Sequence, residues 1–280
     1  MNTDHSWLRS LCGMLVGVAA VAADVRGDHF FCAGTDNTWN DGSNWKSASD
    51  CSGANAGVPT AADKVTILSG KTCNVNVTTA VGDHILVEST ATLNIEAGNI
   101  LTLDDTDANG STITGTVNLQ GSNSILAFIT NNQTIDGLGK IVGQHDWAQI
   151  TVSAGVTLSN ETTIEGILRI VPPDMEDVPT FRNEGTVHAN ASGILHVHTF
   201  VVDDSAGADR WKVSTSSTAC LRFTVLDTTQ APTFDGDFVV EGGTLDVDNL
   251  GFATHGVLTM TGGTIDVANT AQARFSVPVP

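Results

Sequence analysis

The last forty residues constrain this chain most. Gly242-Gly243-Thr244-Leu245-Asp246-Val247 returns twenty residues later as Gly262-Gly263-Thr264-Ile265-Asp266-Val267. Each copy sets Leu245/Val247 or Ile265/Val267 on one side and Thr and Asp on the other. That alternation is the signature of a strand with one buried face. One such strand cannot bury its apolar side alone, but a stack of copies can. The expected fold is therefore all-β: a parallel β-helix whose coils cover one another.

A second unit recurs upstream. Thr112-Ile113-Thr114-Gly115-Thr116-Val117-Asn118-Leu119 matches Thr134 to Ile141 around Gly137, Thr163 to Ile170 around Gly166 and Thr233 to Val240 around Gly236. In each, the second, fourth, sixth and eighth positions are apolar or Gly. Glycine at a fixed point of each rung fits a crowded bend. Gly185, Gly207 and Gly256 head weaker copies, and the steps between these glycines are 22, 29, 19, 22, 29 and 20. Their mean of about 23 suits a coil of three short strands. Residues 60–280 would then make nine or ten coils, a rod roughly 45 Å long at about 4.8 Å per coil. A β-sandwich also permits short, regularly spaced strands, but the Gly-centred unit favours the solenoid.

The chain has 280 residues with 12 Lys plus Arg against 31 Asp plus Glu, a net charge of −19. Nucleic acid and anionic membranes are excluded as partners on that balance, because both need a basic face. The acidity suits divalent cations or simply a solvated coat. Residues 1 to about 23 read as a secretory signal peptide. Arg9 is the basic end, Leu11 to Ala20 the apolar run, and Ala20-Val21-Ala22 the small-residue cleavage site. That run is too short to span a bilayer and no second one is long enough, so no transmembrane anchor is expected.

Beyond the leader lie Cys32, Cys51, Cys73 and Cys220. An even number in an exported chain reads as disulfides. Cys32 with Cys51 is the economical pair, closing a loop worth about 3 kcal/mol in the chain-entropy picture. Cys73 with Cys220 follows by elimination. Residues 24–60 are turn-rich and carry Trp39 and Trp45. An open solenoid end exposes core and unpaired strand edge and needs a cover. This region is expected to be that cap, with a sugar-stacking platform as the alternative. Residues 61–280 are expected to be the coils.

Trp39-Asn40-Asp41-Gly42-Ser43-Asn44-Trp45, then Val58-Pro59, Asp63-Lys64-Val65-Thr66-Ile67, Ser69-Gly70-Lys71 and Val75, is similar to the start of secreted bacterial right-handed parallel β-helix proteins. Thr92-Leu93-Asn94-Ile95, Gly98 and Leu101-Thr102-Leu103 continue the manner. Eight-glycine extracellular domains and pectate-lyase-like solenoids are more distant comparisons. The resemblance covers about residues 35–105. It implies a β-helix and no particular activity, since adhesins and enzymes both occur among such proteins.

Val171 to Pro179 holds three prolines and three acids and reads as a projecting loop. Asp105, Asp107 and Asn109, followed by Gly110, have the oxygen ligands and the turn of half a calcium loop. The twelfth position is Thr116 instead of the closing Glu, and an Asx-rich turn is the structural alternative. His188, His196 and His198 are candidate transition-metal ligands, with Asp203 and Asp204 near in sequence. Asp136 and Glu165 occupy one outward position of two repeat copies and are expected to stack. Arg169, Arg182, Arg210 and Arg222 are the central arginines that a polysaccharide lyase would use as base. Ordinary surface decoration explains all of these equally.

The sequence supports an exported, non-catalytic β-solenoid acting as a surface or extracellular structural or adhesive module. Its expected partners are extracellular glycans or cell-surface components, its address the outside of the cell or the periplasm. No cofactor is required, with calcium the one candidate. The alternative is a carbohydrate-active β-helix enzyme on acidic polysaccharide.

Overall fold

The computed structural model describes residues 27–33, 36–107, 109–174, 179–199, 201–204, 210–225, 233–248, 253–254, 256–267 and 274–275. The signal-peptide reading, Gly207 and part of the Val171–Pro179 loop lie outside them. The chain is a β-solenoid. Among the described residues there is no α-helix, only a one-turn 3-10 segment at Gly42–Asn44. Among the described residues no helix is long and apolar enough to cross a membrane.

Each coil visits three faces in turn. The first face starts with Lys64–Ile67, the second with Thr72–Val75 and the third with Ala80–Gly82. Ile85–Val87, Thr92–Ile95 and Ile100–Leu103 then lie on those same faces, each parallel to its predecessor. The second face continues through nine strands, ending at Leu258–Met260. Its register stacks one inward column: Cys73, Leu93, Val117, Ile141, Ile164, Val187, Trp211, Phe238 and Leu258. All of these except Leu258 are essentially inaccessible. The third face stacks Leu101, Leu126, Ile150, Ile170, Val197, Phe223, Val247 and Val267 in the same way. Like stands on like, and each buried aliphatic or aromatic side chain contributes about 1.5–3 kcal/mol.

The terminal repeat is in the expected register: Thr244 pairs Thr264 and Asp246 pairs Asp266. The upstream repeat is not. Lys140 pairs Thr116 and Thr163 pairs Lys140, so Gly139, one residue before Lys140, stands on Gly115. The expected match of Gly137 and Gly166 to Gly115 is out by two and by four residues. The pairing continues as Gly115, Gly139, Thr162 and Gly185 at one corner, with Gly256 over Gly236 further along. A Cβ on Gly139 would come within 2.2 Å of the Gly115 carbonyl oxygen, and one on Gly185 within 2.0 Å of that of Thr162. At Gly139 and Gly185 the coils approach too closely for a side chain, whereas Thr162 between them keeps one, its hydroxyl donating to the Gly139 carbonyl at 2.8 Å.

Gly166 has another task. It pairs with Gly143, where Lys140–Val152 and Thr163–Val171 pass from the second face to the third without ending. At φ +94 Gly166 bends that strand, and a Cβ there would lie 2.2 Å from the Gly143 carbonyl oxygen. Consequently Asp136 and Glu165 do not stack. Asp136 pairs Thr112 on the first face, while Glu165 pairs Val142 and His188 on the second.

Two edges at the N-terminal end are covered. Asp28–Phe31 pairs parallel with Lys64–Ile67 and is itself covered by antiparallel Trp45–Lys46. The Trp39 N–H donates to the Asn74 carbonyl, and the Asn74 N–H to that of Asn37, closing the edge of Thr72–Val75. Trp39, Trp45 and Phe31 are fully buried, and the indole N–H of Trp45 donates to the Trp39 carbonyl at 2.7 Å. Rings so enclosed cannot stack on a sugar. Cys32 and Cys51 form a disulfide. Cys73 and Cys220 do not bridge. They lie six coils apart, about 29 Å at strand spacing, whereas a disulfide needs Cα atoms within about 7 Å. The Cys73 thiol is buried, which pushes its pKa well up.

Gly139→Ala is expected to lower stability by about 3 kcal/mol in denaturant melts. Gly98→Ala, where φ is +76 and nothing lies within 4 Å of the new Cβ, is expected to cost about 1 kcal/mol, the backbone strain alone.

Candidate functional site

Two turns on successive coils meet where the chain passes from the third face to the first. The earlier holds Asp83 and His84, just before strand Ile85–Val87; the later runs from Asp105 to Gly110, just before Ser111–Ile113. The Asp104 N–H donates to the Gly82 carbonyl and holds one turn on the other. Asp83 accepts from the Thr106 N–H at 3.1 Å and lies 2.9 Å from His84 Nδ1. Asp105 is fully buried and accepts from the N–H groups of Asn109 and Gly110 at 3.1 and 2.6 Å. Gly110, at φ +73, makes that return possible.

The ligand-type atoms of Asp83, His84, Asp105 and Asp107 all lie within 4.8 Å of one another. Asp83, His84 and Asp107 border a cleft of about 470 Å³ that Asn109, Lys64 and Asp28 also line, with Asp105 buried behind it. Three carboxylates and an imidazole are donors suited to a divalent cation. Without one, the carboxyls must relieve their own repulsion. Burial, with hydrogen bonding to Asp107 and the Asp83 charge, raises the Asp105 pKa, against the pull of the two backbone N–H groups.

The expected calcium residues are thus partly assembled. Asp105 and Asp107 meet, while Asn109 gives its backbone N–H to Asp105. The stretch is not a twelve-residue loop, because strand Ser111–Ile113 begins at its seventh position. Asp83 and His84 were not foreseen. The signal was present: Asp83 lies 22 residues before Asp105, close to one coil.

The histidines do not converge. His188 is on the second face, with Nε2 2.7 Å from Ser214 Oγ, and burial then Lys212 lower its pKa. His196 and His198 are on the third face, stacked at 5.1 Å between ring centroids. Val201–Asp204 pairs with Thr180–Asn183 on the first. Among the described residues, Asp83, His84, Asp105 and Asp107 are the sole group of three or more metal-type donors. His196 pairs Arg169 on one side and Arg222 on the other. Burial, then His198 and the two guanidiniums, lower its pKa to about 3. A cation placed there would meet two fixed positive charges.

That arginine row has a neighbour the sequence reading passed over. Between Gln144 and Gln149 the pairing with Thr163–Val171 shifts, because the four residues between them oppose Leu168 alone. The three extra residues leave the ladder as an exposed bulge, His145, Asp146 and Trp147, next to the paired but also exposed Gln144. Trp147 is 49% exposed, and Arg169 lies over its ring with Cζ 3.9 Å from the centroid. The Arg169 Nε donates to the Asp146 carbonyl at 2.7 Å. A smaller cleft of about 190 Å³ lies among Asp146, Trp147, Arg169, Ile194, His196 and Arg222.

No family model, curated protein or solved structure matches this chain.

Asp107→Asn keeps a hydrogen-bond partner for Asp105 but removes a competing charge. Because the folded-state pKa of Asp105 is raised, this group's ionisation costs stability as pH climbs past its unfolded value. In chelator at neutral pH the variant should melt a few degrees higher, on the order of 1 kcal/mol. That gain should shrink as pH falls through the raised pKa of Asp105, where its carboxyl takes up a proton. If the cluster takes calcium, millimolar calcium raises the melting temperature of the parent and not of the variant. An equal response in both places the calcium elsewhere.

Proposed function

We propose that this chain is an exported, non-catalytic β-solenoid serving as a structural or adhesive module at the cell surface or outside the cell. The observation that carries the reading is the closed N-terminal end. Trp39, Trp45 and Phe31 plug the first coil, and the Cys32–Cys51 disulfide ties down the segment that contributes them. Structural disulfides persist in oxidising compartments, and residues 1 to 23 have the pattern of a leader that would deliver the chain there. The resemblance of residues 35–105 to secreted bacterial β-helix proteins supports the same address.

The placement of the arginines favours a non-catalytic role. A lyase would set an Arg or Lys base beside its acidic cation ligands. Arg169 and Arg222 lie on the third face, while Arg182, though on the first, is three strands along from Ser111–Ile113, about 14 Å from the turn bearing Asp105. Lys64, which lines the acidic cleft, is the residue a lyase reading would have to use as base. Calcium in the acidic cleft would then fasten two coils together, and extracellular glycans or cell-surface components are the proposed partners.

Expression of residues 1–280 in a bacterial host, followed by fractionation and thiol labelling, tests the reading. The protein is expected outside the cytoplasm with Cys32 and Cys51 oxidised. Cys51→Ser is expected to lose about 3 kcal/mol of stability. Recovery in the cytoplasm with reduced thiols defeats the export claim. Release of unsaturated oligosaccharides from pectin or alginate defeats the non-catalytic one.

A further inference from the structure

We propose that the Trp147 bulge and the arginines beside it form a binding site for an acidic oligosaccharide. The proposal rests on the reading of the chain as an adhesive module and names the ligand class that module would hold.

The bulge is material that the solenoid does not need. The inward columns continue on both sides of it, Ile141 over Ile164 before and Ile150 over Ile170 after. The additional residues therefore leave the core unchanged and serve the outside. What they place there is a large apolar ring. Trp39, Trp45 and Trp211 are each fully buried, so Trp147 is the one indole open to solvent among the described residues. Its position is held: the Trp147 carbonyl accepts from the Asn123 N–H, its N–H donates to His145 Nδ1, and Arg169 braces the ring and the Asp146 carbonyl together. A braced, half-exposed aromatic ring costs little further ordering when a ligand lands on it.

The charges beside it identify the ligand. The chain carries 12 Lys plus Arg in a net charge of −19, yet Arg169 and Arg222 border the same small cleft. Arg222 is paired with Asp246 at 2.7 Å. No carboxylate among the described residues pairs with Arg169, whose planar guanidinium is shaped for one. The backbones of the two arginines lie two coils apart, about 10 Å, with His196 between them. Because Asp246 holds Arg222, Arg169 is the guanidinium that meets a ligand carboxylate, with Arg222 further along the same cleft. A pyranose offers an apolar C–H face to the ring and, when it is a uronate, a carboxylate at its rim to the guanidinium. An acidic peptide offers the carboxylate without the adjoining apolar ring face.

Isothermal titration and tryptophan fluorescence of the purified protein, with oligogalacturonate as probe, test this. Saturable binding is expected, with Trp147 protected from iodide quenching. Trp147→Ala and Arg169→Gln are each expected to weaken it at least tenfold, and Arg169→Lys to give an intermediate loss. Should Arg169→Gln melt early, because Arg169 also braces the bulge, the exposed Trp147→Ala decides, with circular dichroism as the check on folding. No binding at millimolar probe, or unchanged binding by Trp147→Ala, overturns the site. Equal binding of a neutral malto-oligosaccharide overturns the role of the arginines, and equal binding of polyglutamate overturns the saccharide. None of these outcomes alters the compartment or thiol state read in the export experiment.

Discussion

Backbone pairing between successive coils governs where every side chain of this protein can go. Parallel strands alternate their side chains between two faces, so a slip of one residue would turn a whole apolar column outward. The columns from Cys73 to Leu258 and from Leu101 to Val267 show that no such slip occurs on the second and third faces. Even where the pairing shifts, between Gln144 and Gln149, it recovers in phase and expels the surplus to the outside. The core tolerates variation in coil length only at the corners.

The corners are accordingly where this solenoid differs from coil to coil. At one, neighbouring backbones approach so closely that Gly115, Gly139 and Gly185 are required. At another, Gly143 and Gly166 let two strands run round without a break. At a third, Asp83 and Asp105 are brought together by turns one coil apart. Strands have spent their backbone groups on pairing and half their side chains on packing. Turns retain both, and so the acidic cleft and the Trp147 bulge are each found at a junction between faces.

Electrostatics separates the two places. In the acidic cleft, carboxylates are forced together until burial and mutual repulsion raise the pKa of Asp105. In the row formed by Arg169, His196 and Arg222, positive neighbours and burial keep His196 neutral. A rod with net charge −19 thus carries one spot suited to a cation and, on a different face, one suited to an anion.

Much of the fold was legible in the sequence because alternation is local. Leu245 and Val247 must share a side whatever surrounds them, and a mean period near 23 residues follows from counting. The Cys32–Cys51 pair was legible because a short loop brings its ends together cheaply. Alignment between coils was not legible. Along the second-face column the coil length runs from 20 residues, Cys73 to Leu93, to 27, Trp211 to Phe238, and spacing cannot say which corner absorbs the difference. That is why Gly166 was matched to Gly115, Asp136 to Glu165 and Cys73 to Cys220. It is also why His84 was not joined to Asp105, nor Trp147 to Arg169. The sequence by itself determined which side chains face inward, through a rule that acts between residues two apart. Which outward side chains meet was decided only by the tertiary structure, because that depends on backbone register between segments more than twenty residues apart.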